Sequence, residues 1–220
     1  MQKPSKRQRK ILEKATRNYQ ENLPEAIGYL QERGITETTA RAARLGVVVS
    51  PEPGHEHAIN RLSIPYVDKA GVYAIKFRCL VHEDCKPHGC VKYLGLPGQE
   101  TSLYSVLDTD STKDTIHITE GELDRLILTQ VFTGEPVVAL PGATQWKAHH
   151  PYHFSGFERV LIWADGDKAG QDLANRIRKD VRAAETIALP QGKDVTDMYL
   201  EFGADILRQM AGVDEGEETD

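Results

Sequence analysis

Two short apolar stretches, each followed at once by acidic residues and a glycine, constrain this chain more than any other feature. Residues 115–119 lead directly to Glu120, and residues 160–164 lead to Asp165 and Asp167. Apolar runs of this length are typical of strands buried on both faces of a parallel sheet. Parallel strands end at one edge of the sheet, which is where open α/β sheets bind ligands. The sequence therefore predicts three carboxylates at one sheet edge, where a cation with a preference for oxygen ligands, such as Mg²⁺, would relieve their repulsion.

Strand-like and helix-like segments alternate from residue 115 onward, which predicts a parallel sheet with right-handed crossovers. We expect strands over 115–119, 136–140, 159–164 and 184–189, and helices over 122–131, 168–182 and 196–209. Before this region, residues 62–67 and 72–78 flank a turn and predict a β-hairpin, preceded by three short helices. The predicted fold is α/β: a Rossmann-like parallel sheet with an N-terminal α+β subdomain.

Polar residues 108–114 suggest the boundary between these parts, giving a subdomain over 24–110 and a sheet domain over 111–210. The preceding segment, 1–23, predicts a basic helix with seven Lys or Arg among the first 17 residues. It is either a solvated amphipathic helix or an arm that contacts phosphates. The acidic segment 211–220 predicts a disordered tail.

Composition limits the class of protein. The net charge is −6, but nucleic-acid binding depends on local patches and is not excluded. Three cysteines argue against a disulfide framework. No apolar run approaches the roughly 18–20 residues that span a bilayer, and the N-terminus lacks the apolar core of a secretion signal. We therefore expect no membrane partner and a cytoplasmic location, in the host cell if the protein is viral.

The acidic motifs carry a family resemblance. A strand followed by Glu-Gly-x-x-Asp, and then a strand followed by Asp-x-Asp-x-Ala-Gly, resembles the TOPRIM domain of bacterial-type primases, topoisomerases and some nucleases. The resemblance implies that Glu120 acts as a general acid/base or assists metal binding, and that Asp165 and Asp167 hold Mg²⁺ or Mn²⁺. It adds Asp124 as a further acidic member. The alternative is that residues 165–167 form a turn that caps the next helix.

The segments before the acidic motifs favour a primase within this family. Lys92-Tyr93-Leu94 and, after it, residues 102–104 resemble segments that line the template and nucleotide groove of bacterial-type primase cores. By this resemblance Arg78, Lys92, Tyr93 and Lys76 would contact template or nucleotide phosphates. The implied function is that of a DNA primase, a nucleotidyltransferase that makes short RNA primers from ribonucleotides on single-stranded DNA in a Mg²⁺-dependent reaction.

A later acidic pair has two readings. Asp194 and Asp197 match a Gly-Lys-Asp-x-x-Asp segment of the primase domain. They would either lie near the metal or cap the helix expected over 196–209.

The sequence also departs from the usual primase pattern. A zinc ribbon is not found before the core, nor a helicase-binding domain after it, and residues 99–102 lack an expected basic residue. The chain therefore resembles the reduced primases of bacteriophages, with a replicative helicase or a separate zinc-ribbon protein as expected partners. Two alternatives remain: a TOPRIM nuclease that uses water as its nucleophile, and a non-catalytic replication module that binds single-stranded DNA.

One loop concentrates cysteine and histidine. Residues 79–90 contain five potential zinc ligands, namely Cys79, His82, Cys85, His88 and Cys90. Three cysteines and one of the two histidines, His82 in our assignment, would complete a tetrahedral Zn²⁺ site. The alternative is a polar loop with reduced thiols.

Overall fold

The computed structural model describes residues 4–82, 85–99 and 101–213. Packing divides the chain after Thr101 into a first and a second unit. This division precedes the boundary expected at residue 110, because residues 102–110 pack within the second unit. There, the Tyr104 N–H donates to the Ala139 carbonyl at 2.8 Å, and Arg125 binds Asp108 at 2.7 Å. From residue 214 onward, the predicted acidic tail lies outside the described residues.

The first unit is an antiparallel sheet with helices. Its four strands pair in the order β1-β2-β3-β4, and the predicted hairpin is formed by β2 and β3. The elements are α1 (Lys6–Glu21), α2 (Ile27–Glu32), α3 (Glu37–Ala42), β1 (Gly46–Val47), β2 (Arg61–Asp68), β3 (Gly71–Cys79) and β4 (Tyr93–Gly95). The short strand β1 is absent from the sequence prediction.

Helix α1 is an integral part of the first unit. It begins at a capping box in which the Ser5 hydroxyl accepts from the Gln8 N–H. Its apolar face, which includes Leu12 and Tyr19, is buried in the same core as Phe77 of β3. Arg9 of its basic face donates to both carboxylate oxygens of Asp68, at 2.7 and 2.8 Å. At least one basic side chain of this helix is therefore engaged within the unit.

The second unit contains the predicted parallel sheet, which the structure confirms. The strands pair in the order β6-β5-β7-β8, all parallel. The elements are β5 (Thr115–Thr119), α4 (Glu122–Val131), β6 (Val137–Ala139), β7 (Arg159–Ala164), α5 (Lys168–Asp180), β8 (Ala184–Ala188), α6 (Val195–Phe202) and α7 (Ala204–Met210). The helix predicted over 196–209 is two helices, because Gly203 interrupts it with φ +82°. Within the described ranges, the chain has no helix long and apolar enough to cross a bilayer.

The strand order reverses beside two of the predicted acidic residues. After β5 the chain moves to one side of the sheet to form β6, and then crosses to the other side to form β7. Such a reversal separates the connections at the carboxyl ends of the two central strands and leaves room for a ligand. Glu120 directly follows β5 and Asp165 directly follows β7, so both lie at this edge.

Trp163 anchors the end of β7 in the interior. Its side chain is fully buried, and its indole N–H donates to Nδ1 of His117 at 3.0 Å. Because that nitrogen accepts, Nε2 of His117 carries the hydrogen, and it lies 2.7 Å from the Glu135 carboxylate. The strand that leads to Asp165 is thus held in place by consecutive hydrogen bonds from Trp163 through His117 to Glu135.

Candidate active site

Glu120 is a half-buried carboxylate with an unsatisfied oxygen. Its Oε1 atom is buried and accepts no hydrogen bond within the described part of the chain. Burial raises the pKa of Glu120, and the negative charge of Asp167 adds to this, whereas the Asp165 backbone N–H and the charge of Arg176 act in the opposite direction. A buried acceptor without a donor is uncommon in folded proteins and calls for a ligand or a functional reason.

Asp165 is a strongly perturbed carboxylate of this edge. Burial, followed by the negative charges of Glu120, Asp124, Asp194 and Asp167, raises its pKa to about 8. Charges interact more strongly in a partly buried site than in water, so each of these carboxylates acts on the ionisation of Asp165. The sequence prediction that acidic residues meet at the strand ends agrees with this electrostatic coupling.

Asp167 has a structural contact. Its Oδ1 accepts from the Gly170 N–H at 2.8 Å and caps α5, so the predicted capping role is present. The residue is nevertheless exposed, which leaves the carboxylate group accessible to solvent.

Asp124 and Asp194 also bond to helix termini. The Oδ1 atom of Asp124 accepts from the backbone N–H and the hydroxyl of Thr196, at 3.1 and 2.7 Å. Asp194 caps α6 in a capping box with Asp197. The capping reading of Asp194 is therefore present in the structure, and its charge also raises the pKa of Asp165.

Two glycines permit the close packing of this edge. A Cβ atom on Gly166 would lie 1.8 Å from the Pro190 carbonyl oxygen, where Gly166 also exchanges backbone hydrogen bonds with Gly192 and Lys193. A Cβ atom on Gly170 would lie 2.6 Å from Oε1 of Glu120. Larger side chains would therefore displace the loops and helix that hold the carboxylates.

The carboxylate edge, defined here as Glu120, Asp124, Asp165, Asp167 and Asp194, fits a hydrated divalent cation. In the described residues, three metal-ligand atoms lie within 4.8 Å of one another at Cys79, His82 and Cys90, and not among these carboxylates. Mg²⁺ usually retains several waters and binds through one or two carboxylates, so a tight trio is not required. The orphaned Glu120 oxygen and the raised pKa of Asp165 are what a bound cation would relieve.

The first unit buries a positive charge in what we call the arginine–tyrosine cluster: Tyr29, Lys76, Arg78 and Tyr93. Arg78 is only 6% exposed, and its guanidinium donates to the Tyr29 hydroxyl at 2.6 Å and to the Tyr93 hydroxyl. Burial alone would lower the pKa of Arg78, but its charge interactions and hydrogen bonds with Tyr93 and Tyr29 raise it. The Lys76 ammonium lies 4.3 Å from the centroid of the Tyr93 ring. The structure thus brings three of the predicted binding residues together.

The fourth predicted binding residue, Lys92, has an exposed side chain, and its carbonyl accepts from the Cys79 N–H at 2.9 Å. Tyr29 was not predicted. It lies on α2, far from Arg78 in sequence, and nothing in its local pattern distinguishes it from a packing residue.

Three of the potential zinc ligands in the loop 79–90 also lie close to one another. The Sγ atoms of Cys79 and Cys90 and a ring nitrogen of His82 lie within 4.8 Å of one another. His88 instead stacks on the His82 ring, with centroids 3.9 Å apart and planes 7° from parallel.

Comparison with known proteins agrees with this arrangement. The family described as Toprim domain matches residues 115–205. The Gene 57 protein of Mycobacterium phage D29 is 36% identical over 151 residues, which span 66% of this chain and 94% of the phage protein. Two solved structures share the fold. The RNA polymerase domain of Mycobacterium tuberculosis primase DnaG has a TM-score of 0.75 at 20% identity, covering 95% of this chain and 84% of that chain. A DnaG primase catalytic domain bound to ssDNA has a TM-score of 0.73 at 20% identity, covering 92% and 77%.

The fold and the carboxylate edge thus define a Toprim-domain protein with the architecture of a DnaG-type primase catalytic core. The chain belongs to the same family as the Gene 57 protein of Mycobacterium phage D29. The family resemblance inferred from the sequence is confirmed.

Proposed function

We propose that this protein synthesises short RNA primers on single-stranded DNA by a Mg²⁺- or Mn²⁺-dependent nucleotidyl transfer. The observation that carries the proposal is the buried, unpartnered Oε1 of Glu120 beside Asp165, at the strand ends of a Toprim sheet. The similarity of the fold to DnaG catalytic cores supports this function over the others that Toprim domains perform.

The proposed reaction joins two nucleotides. The 3′-hydroxyl oxygen of the growing strand attacks the α-phosphorus of a ribonucleoside triphosphate, a new P–O bond forms, and pyrophosphate leaves. Glu120, whose pKa is raised by burial, is the candidate to accept the hydroxyl proton. Asp165 and Asp167, with Asp124 as a further acidic neighbour, would hold the divalent cation, directly or through water. When bound there, the cation would offset the negative charge of the phosphates.

The arginine–tyrosine cluster is proposed to position phosphates. Lys92 is exposed and would contact the nucleic-acid backbone directly. Arg78 keeps its positive charge in a buried setting and fixes the Tyr93 hydroxyl, so we assign it an electrostatic and positioning role beside Lys76. Single-stranded DNA and ribonucleotides are therefore the proposed ligands, in the cytoplasm of the host cell. A replicative helicase or a separate zinc-ribbon protein is the proposed protein partner.

A primer assay tests the proposal. Wild-type protein is incubated with single-stranded template, labelled ribonucleotides and Mg²⁺, with and without the helicase or zinc-ribbon protein of the same genome. We expect labelled oligoribonucleotides, and a loss of about a thousandfold in Asp165→Ala, since a cation-binding carboxylate contributes several kcal/mol to transition-state stabilisation. Asp172→Ala removes an exposed carboxylate of the same unit and should retain activity.

Three results would contradict this assignment. Shortening of end-labelled DNA without primer formation would identify a nuclease. Binding of DNA with neither product would identify a non-catalytic module. Full activity in a folded Asp165→Ala variant would exclude the carboxylate edge as the site of the chemistry.

A further inference from the structure

In the part that the structure describes, the connection between β3 and β4 in the first unit lacks an apolar core of its own. In its described residues the exposed apolar side chains include Val81 and Val91, which are 73% and 56% exposed. The buried residues at and within it are Cys79 and Cys85, which are 7% and 4% exposed. Loops of this length without extensive secondary structure are uncommon in compact domains. Something other than apolar burial must therefore hold this one in a defined fold.

The side chains that come together in the loop are of the kinds that bind metal ions. The Sγ atom of Cys90 lies 3.4 Å from Nδ1 of His82, whereas two adjacent vertices of a tetrahedral zinc site with one sulfur and one nitrogen are about 3.6 Å apart. Cys79 joins these two atoms within 4.8 Å. The thiol of Cys85 interacts with those of both Cys79 and Cys90, and its S–H donates to the His82 carbonyl at 3.6 Å.

The backbone is also shaped for thiolates. The backbone N–H groups of Val81 and His82 donate to the Cys79 sulfur. Cys85 and Cys90 flank a tight turn in which the Cys90 N–H donates to the Cys85 carbonyl at 3.1 Å and Gly89 has φ +64°. Backbone N–H donors stabilise a negatively charged sulfur, and a tight turn brings the two sulfurs to one side.

We propose that Cys79, Cys85, Cys90 and His82 bind a structural Zn²⁺ ion that closes the β3–β4 connection. Three cysteines and one histidine form a closed tetrahedral set with no position left for substrate. Binding releases three thiol protons and forms three Zn–S bonds and one Zn–N bond. The His88 ring, stacked on His82, packs against the ligand without joining the set.

The ion would fix the register of two functionally important residues. The strand pairing sets Arg78 opposite Tyr93, and the loop begins and ends directly beside this pair, at Cys79 and Lys92. A metal ion bound in the loop would limit the movement of β4 relative to β3, since β4 has only three residues. The role is structural and does not depend on the proposed primer synthesis.

Metal content tests the proposal directly. Tag-free full-length protein, purified in a non-thiol reductant without added metal, should contain about one zinc ion per chain by elemental analysis. Replacement by Co²⁺ should give the visible bands of tetrahedral cobalt with thiolate ligands. We expect the zinc content to fall below about a tenth of an ion per chain in His82→Ala and Cys90→Ala, and to remain near one in the matched control His88→Ala.

A second measurement uses only the wild-type protein, so it tests the proposal even if those variants fail to fold. The three thiols of the wild-type protein should react slowly with an alkylating reagent, and about tenfold or more faster after a strong chelator removes the metal. A folded wild-type protein without zinc, without cobalt–thiolate bands and with alkylation rates that a chelator does not change would overturn the proposal. Zinc retained in both His82→Ala and Cys90→Ala would overturn it as well.

Discussion

The carboxylate edge of the second unit and the arginine–tyrosine cluster of the first unit both bury charge, but they tolerate it in different ways. Asp165 lies among other carboxylates, and its pKa of about 8 means that it can hold a proton near neutral pH. Arg78 cannot lose its proton, and it is held by the hydroxyls of Tyr29 and Tyr93. A buried acid can be neutralised, whereas a buried guanidinium must be given hydrogen-bond acceptors.

The comparison separates a responsive site from a rigid one. We expect the carboxylate edge to change with pH and with divalent cations, since both neutralise its charge. We expect the cluster to keep its charge and geometry over the same conditions. Four substitutions test this contrast, and they are ordered by the size of the expected effect.

Arg78→Gln should destabilise the protein by about 3 kcal/mol, because it leaves two tyrosine hydroxyls without the cationic donor that they accept from. Chemical denaturation measures the free energy of unfolding. Lys92→Gln removes an exposed positive charge nearby and should change that free energy by less than about 0.5 kcal/mol. Equal effects of the two substitutions would mean that Arg78 is not held as described.

Gly170→Ala should destabilise the protein by about 2 kcal/mol and weaken Mg²⁺ binding, because the added methyl group would meet Oε1 of Glu120 and the Asp165 carbonyl. The matched control is Gly28→Ala, since Gly28 is also helical and a methyl group added there would have no neighbouring atom within 4 Å. That control should be neutral or stabilising by up to about 1 kcal/mol. Thermal denaturation and isothermal titration with Mg²⁺ measure the two effects. A Gly170→Ala protein that is as stable as the wild type would contradict the close approach.

Asp165→Asn should stabilise the metal-free protein at alkaline pH. The pKa of Asp165 rises from its usual 3.8 to about 8 on folding, so the folded wild type loses stability as the pH rises through this window. The amide cannot ionise. We expect no advantage at about pH 4 and about 1–2 kcal/mol at about pH 9, after allowance for partial solvent exposure.

Melting curves in a chelator measure this difference, and Asp172→Asn, at an exposed carboxylate, should show no such trend. Added Mg²⁺ should stabilise the wild type more than Asp165→Asn. A variant that is less stable than the wild type across the whole pH range would show that the negative charge of Asp165 does not destabilise the folded protein.

Lys92→Gln should leave stability unchanged and weaken single-stranded DNA binding several-fold. Loss of one phosphate contact lowers the slope of log affinity against log salt by about 0.7 for a single strand. Fluorescence anisotropy over a salt series measures the slope, with Lys113→Gln, at an exposed residue of the second unit, as the control. An unchanged slope would remove Lys92 from the proposed interface.

The second unit was more predictable from the sequence than the first. Helix α4 occupies the predicted residues 122–131, because its buried side chains recur with the helical period between two turns that each contain one glycine. The parallel sheet followed from apolar runs that only burial on both faces explains. These features are local, so a single sequence contains them.

The features that the sequence did not predict depend on contacts between distant residues. Tyr29 meets Arg78 only because α2 and β3 pack in one unit, and Asp124 meets Thr196 across 72 positions of the chain. Strand β1 has two residues, too few for a recognisable pattern. Spacing therefore indicated where the acidic residues gather, whereas their hydrogen-bond partners required the fold.

The buried position of Trp163 has an experimental consequence. The protein contains two tryptophans, and Trp163 lies two residues before Asp165 with its indole fully enclosed and hydrogen-bonded to His117. Its fluorescence should be blue-shifted, and Trp146→Phe would leave it as the sole tryptophan, which can be excited apart from the tyrosines. Cation binding at the end of β7 would then be read optically, without any label attached to the protein.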